Sequence, residues 1–314
     1  MVCIKNIFEK EVLTMAQLTK ENKDGIYSLM LTPYFEDRSI DYATYEKYTE
    51  WQVSQGVDHL FAVCGSSEMT LLTLDERLKL AELTAKHKGN TTIVATANIE
   101  ATLEENIEEI KKMEQTGVDG LVLTTKGLGD DDNKIIDYFT KLLDVATLPV
   151  FLYEFPGFRP HLMSGKAYGE LAKTGKIWGI KDTTSTFEGI KDKIDNKYDS
   201  TIIQANMPFL WDSYVAGARG VMATPTSCGG AFFQRFHEAF VSGDMALAEQ
   251  RYNEIILLDN AIDSGFNASA KELIRLQGVD TFNWYTRGDH NLSGARLRSL
   301  KSFHDWCVAN DLMK

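Results

Sequence analysis

An apolar run, Ile177-Trp178-Gly179-Ile180, ends in Lys181 and continues as Asp182-Thr183-Thr184. An unpaired ammonium at the end of a hydrophobic strand is costly to bury. The same desolvation lowers the amine's pKa, so that a neutral lysine can add to a carbonyl and form a Schiff base. Taken alone, the segment fits equally a lysine that snorkels to water from a strand end. A second apolar run, Pro149-Val150-Phe151-Leu152, ends in Tyr153-Glu154-Phe155-Pro156, which puts Tyr153 28 positions before Lys181. A phenol beside a nucleophilic amine suits proton transfer during imine formation and carbon–carbon bond chemistry.

Both residues close short β-rich runs in a rhythm that begins at Gly25. Strand candidates are Ile26–Pro33, His59–Cys64, Thr92–Ala97, Gly120–Thr124, Val150–Phe155, Trp178–Asp182, Thr201–Ala205 and Gly220–Ala223. Amphipathic stretches such as Tyr42–Gln55, Leu74–His87, Leu103–Thr116 and Asn133–Val145 lie between them. Most strand candidates are continuously apolar, the pattern of parallel strands covered on both faces. Gly56, Gly117 and Gly217 each stand after a helix and before a strand, as helix C-capping requires. Eight βα units predict an α/β fold of the (β/α)8 barrel type rather than a doubly wound sheet, whose phosphate-binding glycine loop is missing. Gly127-Leu128-Gly129 is too short for that loop and reads as a turn. The expected organisation is an N-terminal extension over 1–24, a catalytic barrel over 25–242 and a helical segment over 243–314. Helical spacing in the last recurs over Met245–Ile262, Ser269–Gln277 and Ser293–Asn310.

Of the 314 residues, 44% are hydrophobic and 25% charged, with a formal net charge of −12. That balance disfavours non-specific binding to nucleic acid or to an anionic membrane. Cys3, Cys64, Cys228 and Cys307 are scattered without a CxxC pair, which predicts free thiols and a cytoplasmic protein. The six histidines lack metal-ligand spacing, so no built-in zinc site is expected. No apolar stretch is long enough to span a bilayer. Charged residues interrupt the first fourteen, and Met15 is a candidate biological start.

In a (β/α)8 barrel the active site forms at the C-terminal ends of the strands, so the polar residues that close each run are the candidates. They are Thr32-Pro33-Tyr34, Cys64-Gly65-Ser66-Ser67-Glu68, Tyr153-Glu154, Lys181-Asp182, Gln204-Ala205-Asn206 and Thr224-Pro225-Thr226. Ser66 and Ser67, with nearby backbone amides, can hold a carboxylate, although small hydroxyl residues also serve as turn and helix-cap residues. Thr32 is either a hydrogen-bond donor behind them or a structural strand end. Glu154 is an acceptor for a substrate hydroxyl or amine, or a partner for Arg159 or Lys126. Asn206 is similarly open. Glu68 is expected to lock its own loop. Cys64, Cys228, Trp178 and Trp211 read as packing residues.

At these residues the chain resembles the dihydrodipicolinate synthase / N-acetylneuraminate lyase family of Schiff-base-forming aldolases. The resemblance rests on Leu31-Thr32-Pro33, Gly65-Ser66-Ser67-Glu68, Leu74-Asp75-Glu76-Arg77, Leu152-Tyr153-Glu154-Phe155-Pro156, Gly179-Ile180-Lys181-Asp182-Thr183 and Gly217-Ala218-Arg219-Gly220-Val221-Met222. It runs from about residue 25 to 310 with order and spacing kept. It implies that Lys181 forms an imine with pyruvate or another 2-oxo acid. Tyr153 then shuttles protons, and Ser66 and Ser67 bind the carboxylate. It implies no cofactor, small-molecule 2-oxo acid and aldehyde substrates, and a homo-oligomer, dimer or tetramer. Thr32, Glu154, Asn206, Arg159 and Met222 complete the candidate substrate site.

The sequence also departs from that pattern. The strand-two loop is one residue shorter, and Glu154 replaces an asparagine. The stretch Thr124-Thr125-Lys126-Gly127-Leu128-Gly129 lacks the tyrosine of the lysine-pathway synthases, and Arg159 is displaced by one position. Ala205-Asn206 stands where those enzymes use Gly-Asp. These differences favour a sugar-acid or related aldolase over dihydrodipicolinate synthesis or a dehydratase using the same imine. A non-catalytic 2-oxo-acid-binding regulator is the reading from another class.

Overall fold

The computed structural model describes residues 16–125, 128–129, 131–155, 162–288 and 291–313. Eight parallel strands close into a barrel in chain order, β1 to β8, with β8 bonded back to β1. They are β1 (Gly25–Leu29), β2 (His59–Phe61), β3 (Thr92–Thr96), β4 (Gly120–Thr124), β5 (Val150–Tyr153), β6 (Ile177–Asp182), β7 (Thr201–Gln204) and β8 (Gly220–Val221). All residues of β1 and of β3 to β5 are buried, as the unbroken apolar runs require of strands covered on both faces. The helices that follow the strands are α1 (Tyr42–Ser54), α2 (Leu74–His87), α3 (Leu103–Glu114), α4 (Asp132–Leu143), α5 (Gly165–Ala172), α6 (Phe187–Asp195), α7 (Leu210–Ala216) and α8 (Thr226–Val241).

Local chemistry sets where these helices start. Thr73 caps α2 and Thr102 caps α3, each in a reciprocal capping box with the glutamate three residues on, Glu76 and Glu105. Thr73, not Ser67, therefore opens the helix after strand two. Gly56, Gly117 and Gly217 have φ of +76°, +89° and +120°, so each chain reversal after a helix uses a backbone region that side chains avoid. The residues before β1 are not a loose extension throughout. Leu18 is in the core, and the Tyr27 hydroxyl donates to the Lys23 carbonyl.

Three further helices, α9 (Met245–Asp263), α10 (Phe266–Leu276) and α11 (Gly294–Ala309), follow the barrel. α9 packs along α8, where Gly229 breaks helical geometry and leaves no room for a Cβ beneath Leu258. α10 is bound to the strand-two loop through buried polar contacts. Asn267 Nδ2 donates to the Ser66 carbonyl at 3.1 Å, and Lys271 Nζ reaches Glu68 Oε1 at 3.3 Å and the Tyr285 carbonyl at 2.6 Å. Burial pushes the Lys271 amine down to about 8, with Glu68 pulling it back up. Glu68, as expected, locks its loop: its other oxygen accepts the backbone N–H groups of Arg287 and Gly288 at 2.7 and 2.8 Å. These bonds hold Glu68 at a φ of +63°, which a non-glycine residue rarely adopts. Among the described residues no helix is long and apolar enough to cross a membrane.

β6 carries a tight constraint just before its lysine. A Cβ on Gly179 would stand 2.8 Å from Thr201 Cγ2 and 2.9 Å from both Phe151 Cδ1 and the Thr201 carbonyl oxygen. Gly179→Ala is expected to cost about 1–3 kcal/mol in urea unfolding through overpacking. Gly294→Ala, where nothing lies within reach of the added carbon, serves as the unperturbed control.

Candidate active site

β5 and β6 are paired so that Tyr153 sits opposite Lys181, and both side chains point into the barrel mouth. A cavity of about 440 Å3 opens there, walled at its base by Gly65, Ser66, Tyr153, Lys181, Met222 and Thr224. Lys181 is 4% exposed, and its Nζ lies 4.2 Å from the Tyr153 ring centre and 5.6 Å from that of Phe61. No carboxylate among the described residues is within ion-pair distance of it. Burial drives the amine from its ordinary value near 10.5 down to about 8, with only a weak upward pull from Cys64. Burial acts oppositely on the Tyr153 phenol and holds it well above its ordinary range, so the hydroxyl keeps its proton. A Cβ added to Gly65 would come within 3.2 Å of that hydroxyl, so the glycine keeps space open beside it.

The structure separates the two serines. Ser66 Oγ is 2.7 Å from Thr224 Oγ1, and this pair of hydroxyls, one from each side of the mouth, lines the cavity. Ser67 instead turns inward: its hydroxyl donates to the Met30 carbonyl at 2.6 Å and accepts from the Cys64 amide at 3.0 Å. Its hydroxyl does not line the cavity, contrary to the sequence expectation, because the turn over residues 64–68 needs it to satisfy backbone groups. Thr32 lies behind the loop and donates to the Ser67 carbonyl at 2.8 Å. Asn206 and Met222 do line the cavity, and Asn206 Nδ2 donates to Ser185 Oγ at 2.7 Å. Arg159 lies outside the described residues.

Glu154 corrects the second expectation. Strand alternation sends it away from the side that Tyr153 faces, and it is fully buried under α6. There Lys193 Nζ meets Glu154 Oε1 at 2.5 Å and Asp182 Oδ2 at 3.5 Å, and the Met163 amide donates to Glu154 Oε2 at 3.0 Å. Burial lifts the Glu154 carboxyl to about 7, against the pull of Lys193. Burial opposes the Lys193 ammonium, but the two carboxylates outweigh it and hold its pKa above the ordinary value. The partner the structure gives Glu154 is Lys193, which reads, in sequence, as one turn of a charged helix; Lys126, like Arg159, lies outside the described residues.

Sequence reasoning missed the contribution of the last helices. Asp259 and Asp263 of α9 and Phe266 of α10 line the same cavity, some 80 positions beyond Lys181. Acids four apart on a helix look like a solvated face in sequence, and only the docking of α9 reveals otherwise. Among the described residues no group of three or more His, Cys, Asp or Glu side chains is placed to hold a metal ion.

A closed barrel that sets a buried lysine, without a carboxylate partner among the described residues, and a phenol at the ends of adjacent strands has the architecture of a lyase barrel. The chain belongs to the dihydrodipicolinate synthetase family, whose model matches residues 22–287, and this places it among carbon–carbon lyases. It is similar to the 4-hydroxy-tetrahydrodipicolinate synthase of Macrococcus caseolyticus, 26% identical over 268 residues that cover 83% of this chain and 87% of that one. Its fold matches that of N-acetylneuraminate lyase from Fusobacterium nucleatum, with a TM-score of 0.83 at 22% identity over 93% of this chain and 100% of the other. It likewise matches YagE, an Escherichia coli K12 prophage protein of the dihydrodipicolinic acid synthase family solved in complex with pyruvate, with a TM-score of 0.82 at 22% identity, over 92% of this chain and 99% of that one.

Replacing Lys193 by methionine leaves Glu154 and Asp182 buried without their cation. We expect a loss of about 3–5 kcal/mol in urea unfolding at pH 7. In the variant the folded state holds the buried Glu154 carboxyl protonated at pH values where the unfolded chain has released the proton. The deficit should therefore shrink as pH falls from 7 toward 5.

Proposed function

We propose that this protein is a class I aldolase or lyase acting on 2-oxo acids through a Schiff base on Lys181. The observation that carries this reading is the buried Lys181 amine, without a carboxylate partner among the described residues and set 4.2 Å from the Tyr153 ring in an open cavity. With a pKa of about 8, roughly a tenth of the amine is neutral at pH 7, enough to attack a ketone. The amine adds to C2 of the 2-oxo acid, and the carbinolamine loses its oxygen as water, with the proton delivered through the Tyr153 hydroxyl. The resulting iminium withdraws electrons from C3. In synthesis, C3 loses a proton and the enamine attacks an aldehyde carbon to form the C3–C4 bond. In cleavage, the C3–C4 electron pair returns to the enamine and the aldehyde leaves. Water then releases the 2-oxo acid from Lys181.

The Ser66 and Thr224 hydroxyls are the groups available for the carboxylate, supported by the loop that Thr32 and Asn267 hold. Electrostatic positioning of this kind suffices for the reaction. The cavity volume falls within the ~300–1,000 Å3 range of sites that take drug-sized ligands, more room than a three-carbon acid fills. That favours a longer product such as a 2-oxo-3-deoxy sugar acid. The second reading, condensation of pyruvate with aspartate semialdehyde, is favoured by the name of the Macrococcus relative. Side-by-side assay of aspartate semialdehyde and sugar-acid substrates separates the two.

Borohydride reduction with pyruvate should yield a stable adduct on Lys181, read by peptide mass spectrometry, and none in Lys181→Met. The initial trapping rate should rise with pH through about 8 and then level, since the neutral amine is the nucleophile. An adduct on any other lysine, or none beside a competent control enzyme, would overturn the assignment. Lys181→Met should also unfold at higher urea concentration, because it removes a buried charge whose pKa depression corresponds to about 3 kcal/mol at most.

A further inference from the structure

The helical segment after the barrel brings two carboxylates to the cavity, and the reading above gives them no task. Asp259 and Asp263 stand four residues apart on α9, so they share one helix face, and both line the cavity that holds Lys181. Asp259 is half-buried, and burial with the like charge of Asp263 beside it pushes its carboxyl up to about 6. No basic side chain among the described residues pairs with either. Lys181 is the one basic residue among the described residues that line the cavity, it is 4% exposed, and its amine points into the same space. Two polar demands thus face one volume from opposite depths: an electrophile-seeking amine at the base and a pair of hydrogen-bond acceptors at the mouth. Asn206 adds an amide to the same wall, with one N–H donated to Ser185.

A 2-oxo acid bound as imine to Lys181, with its carboxylate at Ser66 and Thr224, directs C3 and everything beyond it toward the mouth. The groups that meet Asp259 and Asp263 are therefore those of the aldehyde portion. Hydrogen-bond donors satisfy a carboxylate there, whereas a second carboxylate meets like charge in a partly desolvated site. We propose that Asp259 and Asp263 select the aldehyde partner, accepting hydrogen bonds from a chain that bears hydroxyl or ammonium donors and excluding one that bears a carboxylate. This assignment rests on the Schiff-base reading.

The test uses the full-length protein, wild type and Asp259→Asn/Asp263→Asn, with Asp263→Asn alone as a second, milder variant on an exposed position. Each is given pyruvate with erythrose, with 2-amino-2-deoxymannose or with succinate semialdehyde, and kcat/KM for carbon–carbon bond formation is compared. Pyruvate trapping on Lys181 is measured in parallel. Wild type should prefer the donor-bearing aldehydes by about tenfold or more, and the double variant should narrow that ratio at least about fivefold through the KM of the aldehyde. Trapping should not change. A loss confined to the amino sugar identifies an ammonium as the recognised donor, and a loss shared with erythrose identifies hydroxyls. An unchanged ratio with intact trapping overturns this inference alone, as does a wild-type preference for succinate semialdehyde. Absence of any wild-type adduct overturns the Schiff-base reading and this inference with it.

Discussion

The pairing of Tyr153 with Lys181 across β5 and β6 is the constraint on which the site depends. Because side chains alternate along a strand, one register decision distributes four residues between two environments. Tyr153 and Lys181 enter the barrel mouth, where among the described residues no carboxylate lies within ion-pair distance of the ammonium and burial keeps bulk water from it. Glu154 and Asp182 go to the opposite face, where Lys193 lies between them. Asp182 is thus next to the Lys181 amine in sequence yet turned away from it, paired with Lys193. A slip of β5 alone by one position would put Glu154 in the mouth in place of Tyr153, and an ion pair with Lys181 there would restore the lysine to its ordinary state. Gly179 and its close neighbours Thr201 and Phe151 oppose such a slip by leaving no space for a different packing.

A second layer of organisation joins the strand-two loop to the C-terminal helices. Glu68 accepts from Lys271 and from two backbone amides, and Asn267 holds the Ser66 carbonyl. Around Glu68, Arg287 reaches Glu76 with both guanidinium nitrogens at 2.7 and 2.8 Å, tying the first turn of α2 to the same cluster. The loop's fixed shape comes from these distant anchors and from the inward-turned Ser67. Positive φ at Glu68 is the local strain that the cluster offsets.

Much of this was legible in the chain. Continuous apolar runs and glycines after helices are local signals with local causes, and they located the barrel; the Thr-x-x-Glu boxes at Thr73 and Thr102 are equally local but were not read. Tyr153 and Lys181 were legible because strand ends in such a barrel face the site. Glu154 was read wrongly although the signal was present: it follows Tyr153 directly, and strict alternation forbids both from facing one side. Ser67 was ambiguous in principle, since a turn hydroxyl serves backbone or ligand equally well until the turn's geometry is known. Lys193, Asp259 and Asp263 had no local signature at all. Their roles come from which helix face meets the barrel, a tertiary fact that charge spacing on a helix does not encode.

The bond between Asn267 and the Ser66 carbonyl joins positions 201 residues apart, and that between Lys271 and Glu68 spans 203. A chain made from its N-terminus can close all eight strands before either anchor has been synthesised. The amine and the phenol then share a mouth while the strand-two loop still lacks its supports. Assembly of this enzyme therefore has a built-in sequence in time: Lys181 and Tyr153 come together first, and the loop that carries Ser66 gains its anchors only when α10 docks.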